Sequence, residues 1–583
     1  WMLNRQTPIT DRNRYEFGGS IKWDITPDLN IQGRMRYERG EEHWVHNAYA
    51  SSVGNLYPMG RMKDNRYFSD QLYGDVLVSY NHTFNDFSLS ATAGSSFTKT
   101  KTSHVDLWGE GSQFSQPGSG NIFYPNIFTP NNYYGNMSTV GKDDNWMTQK
   151  RLNSVFATAQ LGYREGIFLD ISARNDWSST LANTESMKNG FFYPSVGLTW
   201  IMSNSIKLPE WINFSKFRGS FAQVGNDLPI GITNLADIIQ CGGSIQTNDI
   251  EQRGDLKPEI STSIEFGTEW KFFNNRFGID FTWYRTDTKN QLLRVANPAG
   301  SLYAFRYINA GKIRNTGIEL TLEGTPLMNE NFRWKTAVNM SMNRNKVVSL
   351  HKDYKSFRYG SEGFSMAYDM WVKEGGKLGD IYGNGFERDE NGKIKLNETG
   401  NPIKVTGNNT LLGNANPDAL LGWSNTFTYK GFTLYFLIDA RIGGDVMSLT
   451  QAHLDAMGVS KESGESRDRG YVEYEGIQFK DVPNFYGTVG GRNGISEYYM
   501  YDATNVRLRE LTLGYSFPET LLAKTKFIKG LDLTLIARNL FFLYKDAPFD
   551  PDATLSVGNT LQGVDVFGMP TTRNIGFNVK FTF

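Results

Sequence analysis

The sequence predicts an all-β fold, namely a transmembrane antiparallel up-and-down β-barrel with about seventeen strands in this chain. Three observations predict it. Apolar and polar residues alternate at period two from end to end, and helical periodicity is nearly absent. No apolar run reaches the roughly 18 residues that a membrane-spanning helix needs. Finally, the connections alternate between short and long, which places tight turns at one rim and long loops at the other.

The closing segment shows the alternation most clearly. Its apolar residues are Ile575, Phe577, Val579, Phe581 and Phe583, with polar or small residues between them. Successive side chains of a strand point to opposite faces, so one face is apolar and the other polar. The same pattern predicts strands near 15–25, 29–39, 72–84, 87–100, 152–164, 166–175, 192–203, 215–223, 262–273, 276–288, 313–324, 332–346, 422–430, 432–442, 503–516, 530–541 and 572–583. Near 506–517 the phase slips by one residue, which indicates a β-bulge.

The connections set the direction of the strands. Short turns lie near 26–28, 85–86, 165, 204–214, 274–275, 325–331, 431 and 517–529, and long, structureless external loops are expected between them. Phe583 is then at the periplasmic rim, and residues 1–14 belong to an external loop. Bacterial barrels usually have an even number of strands, so an odd number of strands is expected outside this chain. We interpret 1–583 as the C-terminal part of a 22-stranded barrel, the class with a plugged lumen. The plug and the first strands are expected outside this chain.

Composition excludes several function classes. The chain has 60 Lys and Arg against 61 Asp and Glu, without the basic excess that nucleic-acid binding requires. A single cysteine, Cys241, excludes a disulfide framework. Neither a phosphate-binding G-x-x-x-x-G-K-[ST] loop nor a G-x-S-x-G nucleophile elbow occurs, so an enzyme is not expected. Aromatics predicted to form the interfacial girdles are Tyr15, Trp23, Trp200, Trp270, Trp283, Trp334 and Trp423.

Two short motifs were weighed as metal sites. His43 and His46 stand beside Glu41 and Glu42, but this spacing rarely converges in an extended segment, so no metal is predicted there. The segment 389–394 begins like a calcium loop but has Ile394 where glycine is required. A polar external turn is the preferred interpretation and a structural Ca²⁺ the alternative. No cofactor is expected.

Aromatic clusters in the predicted external loops are the candidate substrate-binding residues. They are Phe128, Tyr133 and Tyr134 in one loop and Tyr303, Phe305 and Tyr307 in another. Aromatic faces stack on sugar rings or pack against peptide side chains, and loops on a rigid scaffold often bind ligands. The alternative is packing between loops or against a partner. Charged residues predicted to face the lumen are Arg34, Arg36, Asp280, Asp439 and Arg507.

Several segments resemble the SusC/RagA-type TonB-dependent outer-membrane transporters. They are LKPEISTSIEFGTEWKFFNNRFGIDFTWYRTDTKNQLL at 256–293, LGDIYGNGFERDENGK at 378–393, LGNANPDALLGWSNTFTYKGFTL at 412–434, YDATNVRLRELTLGYSFP at 501–518, ARNLFFLYKDAPFDPD at 537–552 and the terminal TTRNIGFNVKFTF. The resemblance covers about 150–583, and Thr504, Asn505, Ala537 and Asp552 depart from the family pattern. These motifs are structural landmarks, so they identify the family better than the cargo.

The resemblance implies an importer in the outer membrane of a Gram-negative bacterium. Its implied partners are a SusD-like surface lipoprotein that covers the external loops and TonB, reached through the missing N-terminal part; a dimer of transporter–lipoprotein pairs is a further implication. Oligosaccharides are favoured as cargo over oligopeptides because of the loop aromatics. Two alternatives stay open at this point: a passive porin or adhesin barrel, and a secreted all-β glycan-binding protein.

Overall fold

The structure is a computed structural model that describes residues 6–50, 60–110, 124–129, 132, 140–141, 146–233, 238–241, 244–247, 250–251, 253–297, 300–301, 303–352, 354–361, 367–405, 407, 409–525, 527–556, 558, 560–569 and 571–583. One large antiparallel sheet, the wall, contains seventeen long strands and two short strands at its rim. The strand number predicted from the sequence is therefore confirmed.

The wall strands follow one another in chain order. They are β1 (Gln6–Asp24), β2 (Leu29–Ala48), β3 (Arg61–Phe84), β4 (Phe87–Glu110), β5 (Trp146–Tyr163), β6 (Ile167–Ser178), β7 (Phe191–Ile201), β8 (Ile212–Asn226), β9 (Glu259–Phe272), β10 (Phe277–Ala296), β11 (Phe305–Met328), β12 (Phe332–Ser349), β13 (Ala419–Tyr429), β14 (Phe432–Ile442), β15 (Asn505–Ser516), β16 (Gly530–Lys545) and β17 (Asn574–Thr582). Each pairs antiparallel with the next, even across the long connections from β12 to β13 and from β14 to β15.

The two faces of the wall differ in polarity, as the alternation predicts. One face exposes large apolar side chains, and on β17 Phe577 is 82% and Ile575 74% exposed. All seven predicted girdle aromatics lie on this apolar face. Each stands opposite an apolar residue, an aromatic residue or an arginine on a neighbouring strand. An apolar surface of this extent is stable only against another apolar medium. The structure therefore places the apolar face outward, toward lipid, and the polar face toward the lumen. None of the described helices has the length and hydrophobicity to traverse a membrane.

Several strands are longer than predicted. Residues 6–14, assigned to an external loop from the sequence, form the first half of β1 and pair with β2. Strands β2, β3, β4, β10 and β11 are extended in the same way. Above the apolar band these extensions no longer face lipid on one side, and those of β10 and β11 pack Leu293, Val295 and Ile308 in a buried cluster, so the simple alternation ends while the hydrogen-bonded ladder continues.

The connections from β12 to β13 and from β14 to β15 are folded rather than structureless. They contain α1 (Leu449–Ala456), α2 (Lys461–Arg469) and α3 (Val482–Val489). Their strands are Ser356–Ser361, Tyr368–Lys373, Asp380–Gly383 and Thr410–Asn414 in one sheet, Asp445–Ser448 and Met500–Asp502 in another, and the hairpin Val472–Tyr474 and Ile477–Phe479. Val564–Asp565, from the connection between β16 and β17, adds a strand to the second sheet. We call this assembly the loop domain. The expectation of structureless loops was wrong here because helices of about two turns are too short to show periodicity.

Smaller elements complete the described chain. They are the helical turns Ser179–Leu181, Ser186–Asn189, Met202–Ser205, Ser496–Tyr499, Glu519–Leu522 and Ala523–Thr525, and the short strands Val140–Gly141, Ile238–Cys241, Ser244–Thr247 and Ile250–Glu251.

The loop domain has a hydrophobic core of its own. A cluster including Phe485, Tyr486, Ile495 and Tyr499 is almost completely buried. Side-chain oxygens at the helix starts accept backbone N–H bonds: Ser448 Oγ from Gln451 and Asp481 Oδ1 from Asn484. The wall is thus a lipid-facing scaffold that carries a conventionally packed domain at its external rim.

Candidate functional site

Ion pairs between strands cover the lumen face, and one of them, from β8 to β10, crosses over the intervening β9. Arg34 on β2 stands opposite Asp75 on β3, and its Nη2 lies 2.7 Å from the Asp75 Oδ2. The Tyr73 hydroxyl donates to the same carboxylate at 2.5 Å. Farther along the wall, Arg218 Nη2 lies 2.9 Å from Asp280 Oδ1. These pairs satisfy polar groups that would otherwise face the lumen unpaired.

The five residues predicted to face the lumen all lie on the polar face. Arg36 Nη1 lies 3.5 Å from Glu16. Asp439 accepts from Arg509 Nε at 2.7 Å. Arg509 is skipped in the pairing with both neighbouring strands, which confirms the predicted bulge and aims its side chain at Asp439.

A buried arginine anchors the chain between β16 and β17. Arg507 is 2% exposed and stacks its guanidinium 4.6 Å from the Phe542 ring centre. Its Nη2 contacts the carboxylates of Asp550 and Asp552. Arg441 Nη1 also approaches Asp552, at 3.5 Å. The sequence analysis placed Arg507 correctly but did not recognise its acidic partners, although the FDPD segment could have indicated them.

The loop domain contains a pocket of about 500 Å³, which we call the loop pocket. Its lining residues are Gln451, Asp455, Lys461, Glu462, Glu465, Tyr474, Tyr498, Tyr501 and Pro548. Tyr474 and Tyr498 lie 4.9 Å apart between ring centres. Burial raises the pKa of Tyr474 to about 12 and raises the pKa values of Tyr498 and Tyr501 as well. These hydroxyls therefore remain protonated hydrogen-bond donors at neutral pH.

Carboxylates complement the tyrosines of the loop pocket. Asp455 is 2% exposed, and its Oδ1 accepts from Gln451 Nε2 at 2.8 Å and from the Ser460 hydroxyl. Burial raises the pKa of Asp455. Glu462 and Glu465 stand at the pocket beside Lys461. Aromatic rings together with hydroxyl donors and carboxylate acceptors suit a ligand that carries many hydroxyl groups.

Arg388 ties a β-hairpin to the loop pocket. Its Nη1 and Nη2 contact the two carboxylate oxygens of Glu475 at 2.7 and 2.8 Å, and Nη2 also lies 2.7 Å from Glu497 Oε1. The other oxygen of Glu497 accepts from the Phe386 backbone N–H at 2.8 Å. The Arg388 guanidinium holds the pKa of Glu475 below its ordinary value. This clamp fixes the strand next to Tyr474.

The predicted substrate-binding residues have local partners where they are described. The Phe128 ring packs edge-on against Tyr49 at 4.9 Å, and Arg294 covers the Phe305 ring at 3.9 Å. Tyr307 packs against a buried cluster around Leu181 and Phe191. The backbone oxygen of Tyr303 accepts from Asn297 Nδ2 at 3.2 Å. The other two predicted residues, Tyr133 and Tyr134, lie outside the described residues. A role of these six residues in binding stays a prediction.

The sequence analysis missed the loop pocket. Its tyrosines stand in two short segments, 471–474 and 498–501, and the second contains three tyrosines in four residues. That density was the available signal, but no pairing pattern indicated that the two segments meet.

The described residues contain no group of three or more His, Cys, Asp or Glu arranged to hold a metal ion. His43 Nε2 lies 3.1 Å from Asp64 Oδ1 across the strand pair. The Asp389 Oδ1 accepts from the backbone N–H groups of Asn391 and Lys393 at 2.8 and 2.9 Å. This arrangement is a hairpin turn closed by a side chain, in keeping with the preferred interpretation of that segment.

Comparisons with known proteins agree with this architecture. The model of the family described as TonB dependent receptor-like, beta-barrel matches residues 1–436. TonB-dependent receptor P3 of Formosa agariphila is 26% identical over 539 residues, which cover 86% of this chain and 52% of that protein. TonB-dependent receptor SusC of Bacteroides thetaiotaomicron is 25% identical over 347 residues, covering 56% of this chain and 32% of SusC. The chain thus spans about half the length of the first of these relatives and a third of SusC.

Solved structures share the fold. The RagAB peptide transporter superposes with a TM-score of 0.75 at 16% identity, covering 100% of this chain and 63% of the other. The closed-closed state of the RagAB peptide importer gives a TM-score of 0.76 with the same coverage. The solved structures show the same fold, and the family model with the sequence match to SusC confirms the resemblance that the motifs indicated.

Three sequence-based expectations are thereby decided. The fold is an outer-membrane β-barrel wall, the location is the outer membrane of a Gram-negative bacterium, and the family consists of transporters rather than enzymes. With its lipid-facing apolar belt, its polar lumen face and the family match over residues 1–436, the chain belongs to the TonB-dependent receptor-like β-barrel family.

Proposed function

We propose that this chain is the C-terminal part of a TonB-dependent importer that takes nutrient oligomers through the outer membrane. The observation that carries the proposal is a wall that is apolar outside and polar inside and bears a folded domain with a tyrosine and carboxylate pocket at its external rim. Relatives about twice as long support a plug and further strands in the whole protein. TonB would act through that additional part.

A SusD-like lipoprotein is the proposed partner. The loop domain exposes an apolar group formed by Met457, Val459, Phe567 and Met569, which are 56% to 83% exposed. The Phe567 backbone N–H donates to Thr450 Oγ1 at 2.6 Å, so this group lies beside α1. Exposed apolar groups of this kind are typical of protein-protein contacts. Similarity to TonB-dependent receptor SusC supports this partner, because the resemblance to SusC/RagA-type transporters implies it.

Oligosaccharides are the proposed cargo, with oligopeptides as the next candidate. Three partly buried tyrosines and several carboxylates in one pocket provide both the flat rings and the polar groups that bind a sugar. RagAB, which shares the fold, is a peptide transporter, so oligopeptides are included in the test.

Calorimetry on the purified chain tests the cargo class. Oligosaccharides and oligopeptides of matched length are titrated separately, and Tyr474→Ala is expected to weaken oligosaccharide binding about tenfold or more, since a stacked aromatic contributes on the order of 1–3 kcal/mol. Tyr429→Ala, on the lipid-facing wall, is the matched control and should bind normally. Binding of peptides alone, or equal loss in both variants, contradicts the proposed site.

Uptake by cells separates an energised importer from a passive barrel. Cells carrying the complete protein should accumulate the labelled oligomer only when TonB is present. Accumulation that does not depend on TonB would instead identify the passive porin alternative.

A further inference from the structure

A groove of about 790 Å³ crosses the first five wall strands. Its floor contains Gly19, Gly33 and Gly74, which lie in neighbouring positions of β1, β2 and β3. Met35 pairs with both Gly19 and Gly74, and Gly74 pairs with Phe97 of β4. Residues directly opposite in antiparallel strands share a face, so the groove lies on the lipid-facing side of the wall.

Missing side chains create the groove. A Cβ atom added to Gly19 or Gly33 would meet nothing within 4 Å, so the space above both glycines is open. At Gly74 the same atom would lie 2.5 Å from the Phe97 ring, which therefore folds over this glycine. Together with Ile21 these residues make an apolar trough in a surface that otherwise carries large side chains.

The position of the groove in the membrane follows from β4. Its lipid-facing residues run from Phe87 through Leu89, Ala91, Ala93 and Ser95 to Phe97. Ten residues of strand span about 33 Å, and a tilt of about 40° reduces this to about 25 Å, the height of the apolar band of such barrels. Lys99 and Lys101, the next residues on this face, therefore lie at the level of the outer-leaflet headgroups.

Three exposed cations stand at the upper end of the groove. Lys99 is directly opposite Arg151 of β5, and Lys101 follows two residues later. Among the described residues no carboxylate oxygen lies within 4.0 Å of these three cations. Arg151 Nε donates to Asn153 Oδ1 at 3.2 Å, and both residues line the groove.

Two further charges on this face belong to a separate pair. Asp70 stands opposite Lys101, but it accepts from the Tyr37 hydroxyl at 2.7 Å and lies 3.6 Å from Arg39 Nη1.

A group of cations on two other strands of the wall is neutralised. On β10 and β11, Arg285, Lys312 and Arg314 all contact Asp287, at 3.1, 3.1 and 2.7 Å. Adjacent cations without such a carboxylate repel one another, and an anion between them removes that repulsion. The contrast indicates that the anion at Lys99 and Arg151 comes from outside the chain.

We propose that the groove and its three cations bind a phosphorylated lipid of the outer leaflet. One acyl chain lies over Gly19 and Gly33, beside the Phe97 ring that covers Gly74, and the phosphate contacts Lys99, Lys101 and Arg151. The groove accounts for binding of a chain, and the cations account for selection of an anionic headgroup over a zwitterionic one.

Lipid retention tests the site. The full chain is incorporated into nanodiscs of phosphatidylcholine with a minor fraction of lipid A, and the lipid that remains bound after detergent extraction is measured by native mass spectrometry. We expect lipid A to be enriched over phosphatidylcholine. The double change Lys99→Glu and Arg151→Glu is expected to reduce this enrichment about tenfold or more, because it replaces two cations that attract an anionic headgroup by two charges that repel it.

A second variant examines the groove itself. Gly33→Leu fills open space without altering charge and is expected to lower retention of the lipid while leaving the fold intact, as judged by the heat-dependent gel shift of the wall. Lys99→Gln with Arg151→Gln replaces the charge reversal if that variant does not fold.

Two controls make the proposal falsifiable. Arg344→Glu removes a lipid-facing cation at the same height on β12, and it should leave retention unchanged. An equal loss in this control would show general attraction to the surface and overturn the proposal. If inorganic phosphate competes as well as lipid A, the cations form an anion site in which the groove has no role. Lipid retention that is unaffected by Gly33→Leu would likewise show that the groove does not bind the acyl chain.

Discussion

Arg388 shows how one side chain controls the loop pocket. It contacts Glu475 through two bonds and Glu497 through a third, with exposure of its side chain at 30%. Two parallel bonds from one guanidinium fix orientation as well as distance. The hairpin carrying Arg388 is thereby held against the strand that positions Tyr474.

Replacing Arg388 is expected to loosen this contact. Arg388→Met should increase amide hydrogen exchange in 386–396 and 472–479 about fivefold, since partly exposed ion pairs contribute about 1 kcal/mol. Lys395→Met, which removes the exposed pair with Glu387, is the matched control and should change exchange little. Equal effects of both changes would contradict a specific role for Arg388.

Acidification is expected to loosen the same contact. The pKa of Glu475 is lowered in the fold by its bond to Arg388, so the stabilisation is complete above the ordinary pKa of 4.5. It is lost as the pH falls through the lower, folded-state pKa. Hydrogen exchange of 472–479, corrected for intrinsic rates, should therefore accelerate only below pH 4.5 in the wild type and should lose this dependence in Arg388→Met.

The effect of pH on stability through Asp455 is expected to have the opposite sign to that through Glu475. Burial raises its pKa above 3.8, so its charged form destabilises the loop domain as the pH rises through the folded-state pKa. Asp455→Asn keeps an oxygen for Gln451 and Ser460, and we expect it to stabilise α1 and α2 by on the order of 1 kcal/mol at neutral pH. Slower exchange in 449–469 is the expected result. Asp468→Asn, at an exposed position, is the control and should leave exchange unchanged. Faster exchange in Asp455→Asn alone would mean that the loop domain requires the charge of Asp455.

The alternation of apolar and polar residues predicted which residues face the lumen, but it did not predict the loop pocket. Arg34 and Asp280 followed from strand alternation, because alternation fixes the face of every residue in a strand. The meeting of Tyr474 with Tyr498 depends on packing between two loops, for which no local pattern exists.

Two-residue turns connect strands at the periplasmic rim of the wall. Lys430 and Gly431 connect β13 and β14 with φ angles of 44° and 89°, as tight hairpins require. A Cβ on Gly431 would also lie 2.8 Å from the backbone oxygen of Ser516. This glycine is therefore required by both conformation and space.

Gly431→Val is expected to destabilise the hairpin by about 1–3 kcal/mol because of its positive φ. Urea unfolding of the chain in detergent, followed by tryptophan fluorescence, measures the loss. Gly576→Val is the control, since a Cβ there meets nothing within 4 Å. Comparable destabilisation in both variants would contradict the assigned role of the turn.

Element prediction succeeded for the lipid-spanning part of each strand and failed elsewhere. The membrane imposes alternation only where one face contacts lipid, so β1 and β2 were predicted too short. Helices α1 to α3 are stabilised by caps and by the buried cluster around Phe485, and their short sequences carry little periodic signal.

The whole wall depends on the opposite polarity of its two faces. Ala157 and Thr158 are neighbours near the middle of β5, with Ala157 paired to Ala93 and Ala173 on the lipid side and Thr158 to Thr92 and Ser172 on the lumen side. Their similar size and depth make them a matched pair.

Arginine at these two positions is expected to have very different effects. Ala157→Arg should lower the free energy of unfolding by about 2–4 kcal/mol, the cost of a charge at the bilayer midplane. Thr158→Arg, facing the lumen, should cost well under half as much. Urea unfolding in lipid vesicles provides the comparison, and equal losses would mean that the two faces share one environment.

Spin-label accessibility along β5 measures directly which positions of the wall face lipid and which face the aqueous lumen. Cys241 is replaced by serine, and single cysteines carrying a nitroxide are introduced at each position from 154 to 161 in the chain embedded in lipid bilayers. Labels at 155, 157, 159 and 161 should collide preferentially with oxygen dissolved in the bilayer, and labels at 154, 156, 158 and 160 with a water-soluble nickel chelate. Accessibility without this period of two, or with the two sets exchanged, would contradict a wall that faces lipid on one side and an aqueous lumen on the other.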